Sequence, residues 1–279
     1  MGLIVIIIVL GLALLLYMIW EARSLQVNKE ELRLPNWPKG FDGVKFLFIT
    51  DIHRRTLPET IKNSIQKEKI DLILIGGDVT EKNVPMRRVR ENIRFLSSLA
   101  PAYFVWGNHD YQVNYRELDI LLREEKVQVL DNRSVSFESG DDCLWLIGVD
   151  DVSLKRDNLD LALLDIDKPG YQLLLCHNPD IMKKLEDKPL IRTILCGHTH
   201  GGQICLPFIG PVIRLFKPRF TPYYSGKYTL SGFGAREGKQ EKLDIPTKTL
   251  FISRGVGTTR LPIRLLAPPE INLLTFRSE

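Results

Sequence analysis

All five histidines of this chain fall in short blocks that read as metal-ligand sets: Asp51-Ile52-His53, Gly107-Asn108-His109-Asp110, Cys176-His177, and Gly197-His198-Thr199-His200. Gly76-Gly77-Asp78 adds a second carboxylate. The donors on offer are carboxylates from Asp51 and Asp78, an amide oxygen from Asn108, and imidazoles from His53, His177, His198 and His200. Mixed oxygen and nitrogen ligands without thiolate suit Mn, Fe or Zn better than a calcium or all-oxygen magnesium cage. So many donors point to two divalent metal ions. In extended backbone, positions i and i+2 face the same side, so Asp51 with His53, and His198 with His200, are each expected to present two ligands to one small volume. Two divalent cations, two carboxylates and one bridging hydroxide sum to about +1, a charge that attracts a phosphate oxyanion. His109 is not needed to complete either metal shell, so it is expected to protonate the leaving oxygen or steady its charge, with Asp110 as the group that orients it.

These blocks need a scaffold that brings them together. Apolar runs typical of strands alternate with amphipathic helical ones: strands at Val44 to Thr50, Ile70 to Ile75, Ala102 to Trp106, Cys143 to Val149, Gln172 to Cys176 and Arg192 to Cys196. Helices fall near Leu57 to Lys69, Pro85 to Leu99, Tyr115 to Glu125 and Asn158 to Asp165. Near-continuous Ile, Leu and Val indicate buried, largely parallel strands of an α/β protein. Asp51, Asp78, Gly107, His177 and His198 each follow soon after the end of such a strand. Ligands bind at the carboxyl ends of strands in open α/β sheets because the loops converge there, so the five blocks should meet in one cleft.

The series D-x-H, GD, GNH[D/E], H and GHxH, present here complete and in order, resembles the calcineurin-like metallophosphoesterases. The likeness spans about Val44 to His200. It implies an α/β sandwich of two mixed β-sheets flanked by helices, and a dinuclear metal-dependent phosphohydrolase in which a metal-bridging hydroxide attacks a phosphoester or pyrophosphate bond. Carried over position by position, Asp51, His53, Asp78 and His200 would bind one metal, and Asp78, Asn108, His177 and His198 the other. His109 would assist catalysis. GHTHGGQI, SRGVG and PIRLLAPPEI are similar to the membrane-associated bacterial branch of the UDP-2,3-diacylglucosamine hydrolase type, which makes a lipid-linked pyrophosphate an alternative substrate. Arg54 and Arg55 follow His53 where many relatives carry smaller residues, and are expected to touch the substrate. A non-catalytic, membrane-tethered binding protein on the same fold is the rival from another class; the intact Asn108 and His109 argue against it.

The length of 279 residues fits one large domain plus an anchor. Leu3 to Trp20 is uncharged and long enough to cross most of a ~30 Å hydrocarbon layer. It lacks the basic start and small-residue cleavage site of a signal peptide. The expected organisation is therefore a transmembrane anchor over 1–22, a tether over 23–43 and the catalytic domain over 44–279. Arg23, Lys29 and Arg33 follow the helix, so the positive-inside bias places the domain on the cytoplasmic side of the cell membrane. A net charge of +4, from 38 basic and 34 acidic residues, makes no case for nucleic acid. Cys143, Cys176 and Cys196 lie in apolar runs and read as buried thiols, whereas Cys205 stays open between thiol and disulfide. From Lys188 to Arg236 no carboxylate occurs, while Arg192, Arg214, Lys217, Arg219, Lys227 and Arg236 interleave with Phe208, Phe216, Phe220, Tyr223, Tyr224, Tyr228 and Phe233. This basic aromatic segment either dips toward lipid headgroups or an acidic lipid-bearing substrate, or is a hairpin whose aromatics pack on the core.

Overall fold

Strand alternation divides the apolar residues between two faces, and both faces are covered. The structure, a computed structural model, describes residues 1–217, 220–231 and 247–279. In chain order the first half comprises α1 (Gly2–Arg23), β1 (Gln26–Leu34), β2 (Lys45–Ile49), α2 (Glu59–Ile65), β3 (Leu72–Ile75), α3 (Met86–Ser97), β4 (Ala102–Phe104), α4 (Tyr115–Glu124) and β5 (Val127–Val129). The second half comprises β6 (Arg133–Ser139), β7 (Asp142–Gly148), α5 (Leu159–Leu163), β8 (Tyr171–Leu175), β9 (Ile191–Cys196), β10 (Cys205–Leu206), β11 (Gly210–Pro211), α6 (Ile213–Phe216), β12 (Gly226–Leu230), β13 (Lys248–Ile252) and β14 (Glu270–Ser278).

Two mixed six-stranded sheets result, ordered β1-β14-β2-β3-β4-β5 and β12-β13-β9-β8-β7-β6. Phe46, Phe48, Leu72 and Leu74 point inward to meet Leu173, Leu175, Leu195 and Phe251 of the facing sheet. The alternate residues Leu47, Ile49, Ile73 and Ile75 point outward against Ile65 of α2, Val89 and Ile93 of α3, and Leu118 and Leu122 of α4. Leu174, Cys176, Ile194 and Cys196 do the same for the second sheet beneath α5. With both faces covered, the strands read as solid apolar runs rather than alternating ones. All four cysteines are free and buried.

The expected tether is where the structure departs from the sequence reading. Gln26–Leu34 is the edge strand β1, paired in parallel with β14 from Gln26 opposite Glu270 to Leu34 opposite Ser278. Leu32, Leu34 and Trp37 enter the core between the sheets, and the Trp37 ring stacks on Phe276 at 4.7 Å. The charges of Lys29, Glu30, Glu31 and Arg33 fit a strand with one open edge, where charged side chains deter further pairing.

Parallel β2, β3 and β4 in one sheet, and β8, β9 and β13 in the other, end at the same rim of the sandwich. A side chain at Gly197, after β9, would put its Cβ 2.2 Å from Thr50 Oγ1, and one at Gly107 would put it 2.2 Å from Asp78 Oδ1. Only glycine permits these approaches.

Candidate metal centre

The rim gathers all seven expected ligand residues. His53 Nε2 lies 3.2 Å from His200 Nε2, and His200 Nε2 lies 3.5 Å from Asp51 Oδ1. A second group places His177 Nε2 3.3 Å from Asp78 Oδ2 and 3.1 Å from His198 Nδ1. Asp78 Oδ2 is also 3.8 Å from His53 Nε2, so one carboxylate oxygen stands between the two groups. Donors about 2.1 Å from a common cation are ~3.0–3.5 Å from one another at tetrahedral or octahedral angles, and most of these spacings match. Nitrogen lone pairs facing each other at such distances repel unless a proton or cation lies between them. Asp51 Oδ1 and Asn108 Oδ1 are buried and without a hydrogen-bond partner among the described residues, as donors aimed at a cation would be. The residues present therefore fit two metal ions, one held by the Asp51, His53 and His200 group and the other by the Asp78, His177 and His198 group.

The backbone pays a conformational cost here that the sequence reading did not foresee. The paired ligands were expected in extended backbone. Instead Asp51, His53, Asp78, His198 and His200 all adopt positive φ, between 51° and 69°. Left-handed backbone costs a residue other than glycine of order 1–3 kcal/mol, and such strain concentrates at functional sites. These turns swing each side chain off its strand and inward over the rim.

A surrounding shell fixes the orientation of the donors. Thr50 Oγ1 and the His198 N–H donate to Asp51 Oδ2 at 2.8 and 3.0 Å, leaving Oδ1 toward the histidines. The His109 N–H donates to Asp78 Oδ1 at 2.7 Å, leaving Oδ2 between the groups. His177 Nδ1 sits 2.7 Å from the Gly76 carbonyl, so that nitrogen carries a proton and Nε2 is the one turned toward Asp78 and His198. Arg264, fully buried, donates to the carbonyls of His200, Arg254, Gly255, Gly257 and Ala267 and pins the turn that carries His200. Burial opposes ionisation of Asp78, but His177 outweighs it and holds this carboxyl below its usual range. Burial likewise opposes protonation of His177, and Asp78 lifts it well above the ordinary imidazole value. Burial pushes His200 down to about 3 and also lowers His109.

Two expectations change, and one further residue joins the site. Asp110 does not orient His109: its carboxylate accepts the backbone N–H groups of Asp78, Gly107 and Thr80 at 2.8, 2.9 and 3.3 Å. It follows Asn108 into a short 3-10 turn that points the side chain back beneath the ligand loops, so it ties the Asp78 and Asn108 segments together. Arg55 does not face the cleft. Its guanidinium donates to the carbonyls of Ala22, Arg23 and Val256, capping the end of α1 with a cation. Glu81 belongs to the site although no motif marked it. Its Oε2 is 3.3 Å from His53 Nδ1, and it pairs with Arg54.

The centre opens into a cleft of about 760 Å³. Asp78, Asn108, His109, His198 and His200 form its floor, Arg54, Lys82, Lys217 and Arg260 supply positive charge, and Ile204, Val212, Ile213, Phe216, Phe220 and Leu261 make an apolar wall. The basic aromatic segment is thus divided. Phe216, Lys217 and Phe220 line the cleft, while Tyr223 and Tyr228 pack on the outer core of the second sheet. Arg219, Phe233 and Arg236 lie outside the described residues.

Comparison with known proteins agrees with this geometry. The family profile described as Calcineurin-like phosphoesterase matches residues 44–202. The chain is 34% identical over 239 residues to Bacillus subtilis (strain 168) YpbG, spanning 85% of this chain and 83% of that one. It is 29% identical over 242 residues to the Escherichia coli (strain K12) protein named Phosphodiesterase YaeI, spanning 82% of this chain and 81% of that one. Among solved structures, the Haemophilus influenzae NAD nucleotidase NadN superposes with a TM-score of 0.51 at 15% identity, covering 77% of this chain and 45% of that chain, a likeness of fold.

Proposed function

The chain belongs to the calcineurin-like phosphoesterase family, which makes it a metal-dependent phosphoric ester hydrolase, and from that premise we propose a membrane-anchored enzyme that cleaves a phosphodiester or pyrophosphate at a dinuclear centre. The observation that carries the reading is the single Asp78 carboxylate standing between two ligand groups. Asp51, His53, Asp78 and His200 would hold one ion; Asp78, Asn108, His177 and His198 would hold the other. When bound, such a pair of divalent ions activates water and neutralises charge on phosphoryl oxygens.

The chain's own residues do the rest. Arg54, Lys82, Lys217 and Arg260 draw the anionic substrate into the cleft and orient it. His109, neutral at neutral pH because burial lowers its pKa, offers an N–H to the leaving oxygen from the cleft floor. Asp110 holds the loops of Asp78 and Asn108 in register as a positioning residue. The apolar wall supports a second reading, a lipid-linked pyrophosphate of the UDP-2,3-diacylglucosamine kind, because a purely polar substrate would leave that wall wet.

The anchor is α1, whose 22 apolar-rich residues reach ~33 Å at 1.5 Å per residue. Arg23, Lys29 and Arg33 beyond it favour a cytoplasmic catalytic domain. The test is hydrolysis by detergent-purified full-length protein with Mn, Fe or Zn supplied separately, on p-nitrophenyl phosphate, bis-p-nitrophenyl phosphate and a lipid-linked pyrophosphate. The reading expects metal-dependent turnover of a diester or pyrophosphate. Turnover of none of them with any of the three metals would overturn it.

A further inference from the structure

Large apolar side chains on a water-soluble surface are normally few and scattered, and a contiguous group marks a binding face. Three stretches tied to the end of α1 expose such side chains. The β10–β11 hairpin carries Phe208 and Ile209 at its tip, with relative exposures of 110% and 57%, and α6 follows with Leu215 and Phe216 at 63% and 79%. The loop before β14 adds Leu261 and Leu266, exposed by 57% and 52%.

The backbone joins these segments to the last turns of α1. The Arg264 N–H donates to the Met18 carbonyl at 3.0 Å, and the Ala267 N–H donates to Glu21 Oε1 at 2.7 Å. The Cys205 N–H donates to the Leu265 carbonyl, and the Leu265 N–H to the Gln203 carbonyl, so the hairpin is stitched to that same loop. Arg55 grips the end of the helix. Among the described residues nothing packs on the first sixteen residues of α1, while these hydrogen bonds tie its last turns to the domain.

Phe208 carries a second signal. Its φ is 65°, a conformation that favours glycine or asparagine, yet an aromatic occupies it with its side chain outside the domain. Neither backbone preference nor contact with any of the described residues explains that choice; a lipid environment for the ring does. Basic Arg214, Lys217 and Arg260 flank the apolar residues, the composition that suits an anionic headgroup layer.

The geometry points to a second membrane contact: the hairpin tip, α6 and the 261–266 loop insert into the interfacial region of the same leaflet that α1 enters. Phe216 and Leu261 belong both to this face and to the cleft wall, so the mouth of the cleft opens at the bilayer surface. The inference rests on α1 being the anchor proposed above.

The experiment uses full-length protein reconstituted in vesicles of phosphatidylcholine and phosphatidylglycerol, with a nitroxide attached at Phe208→Cys, at Leu261→Cys and, as an aqueous control, at the exposed Leu164→Cys. Relaxation of each label by dissolved oxygen and by a water-soluble nickel chelate reports its depth. Flotation of the same vesicles reports the anchor. The expected result is co-flotation with an oxygen-to-nickel ratio several-fold higher at positions 208 and 261 than at 164. Co-flotation with all three labels equally open to nickel would overturn the docking face and leave the anchor standing. Failure to float would remove the anchor and the docking face together.

Discussion

Glu81 Oε2 stands 3.3 Å from Nδ1 of His53, across the imidazole ring from the Nε2 that faces His200. His53 Nδ1 makes no hydrogen bond among the described residues, so the contact is one of charge: a carboxylate this close favours the proton on Nδ1 and makes Nε2 the better ligand. His53 and Arg54 in turn hold the Glu81 carboxyl below its usual range, so it is ionised at neutral pH. Glu81→Gln is expected to weaken metal binding or activity by ~10–100-fold while the fold is kept. Metal titration of the metal-free variant checks this; an unchanged affinity and unchanged turnover would remove Glu81 from the site.

His109 faces the cleft, its ring 4.9 Å from that of His53, and its side chain is assigned to neither ion. His109→Ala is expected to lower kcat by ~10²–10³-fold, the range for loss of one hydrogen-bond donor to a developing charge, with metal content intact. The loss should shrink for a substrate with a good leaving group such as p-nitrophenolate. Equal losses on good and poor leaving groups would count against a role at the leaving oxygen.

Trp37 tests whether β1 and its following turn are part of the domain. The indole is buried, stacks on Phe276 and donates to the Phe41 carbonyl at 2.9 Å. Trp37→Ala should cost ~3–5 kcal/mol, measured by denaturant unfolding. A truncated chain lacking only α1 should fold, whereas one starting after Leu34 should not. Cooperative unfolding of the shorter chain at undiminished stability would show that β1 is dispensable.

Lys248 gives a pH signature remote from the metals. Its Nζ donates to the carbonyls of Lys188 and Ile191, and burial pushes its pKa down to about 8 from the usual lysine value. Below pH 8 both folded and unfolded chains hold the proton, and the burial cost is fully present. Above it the folded chain sheds the proton while the unfolded chain keeps it until about 10.5, so raising pH favours the folded state. Relative to Lys248→Met, the wild-type protein should gain thermal stability between pH 8 and 10. A flat difference across that window would place the Lys248 pKa at its ordinary value.

The strand ends were legible because apolar runs stop abruptly at Asp51, Asp78, Gly107, His177 and His198, and buried parallel strands leave little else to read. The edge strand β1 was not, because Lys29, Glu30, Glu31 and Arg33 dominate Gln26–Leu34 and only Leu32 and Leu34 keep the two-residue period. Glu81 was hidden for a different reason. It lies three residues after Asp78 with no histidine beside it, and only the left-handed turn at Asp78 brings it to His53. Arg55 misled by adjacency: it follows Arg54 directly, yet it turns to the end of α1 while Arg54 lines the cleft. The positive φ values of the ligand residues leave no trace in composition. Their nearest sequence signal is the glycines at positions 76, 77, 107 and 197, which make room for close approach.

The central claim, two ions sharing one carboxylate, is tested most directly by counting metal per chain in the full-length protein and in Asp78→Ala. We expect close to two equivalents in the wild-type protein. Because Asp78 serves both groups, the variant should lose occupancy at both positions. Two equivalents retained in Asp78→Ala, or an active wild-type enzyme with a single ion, would contradict the shared-carboxylate centre.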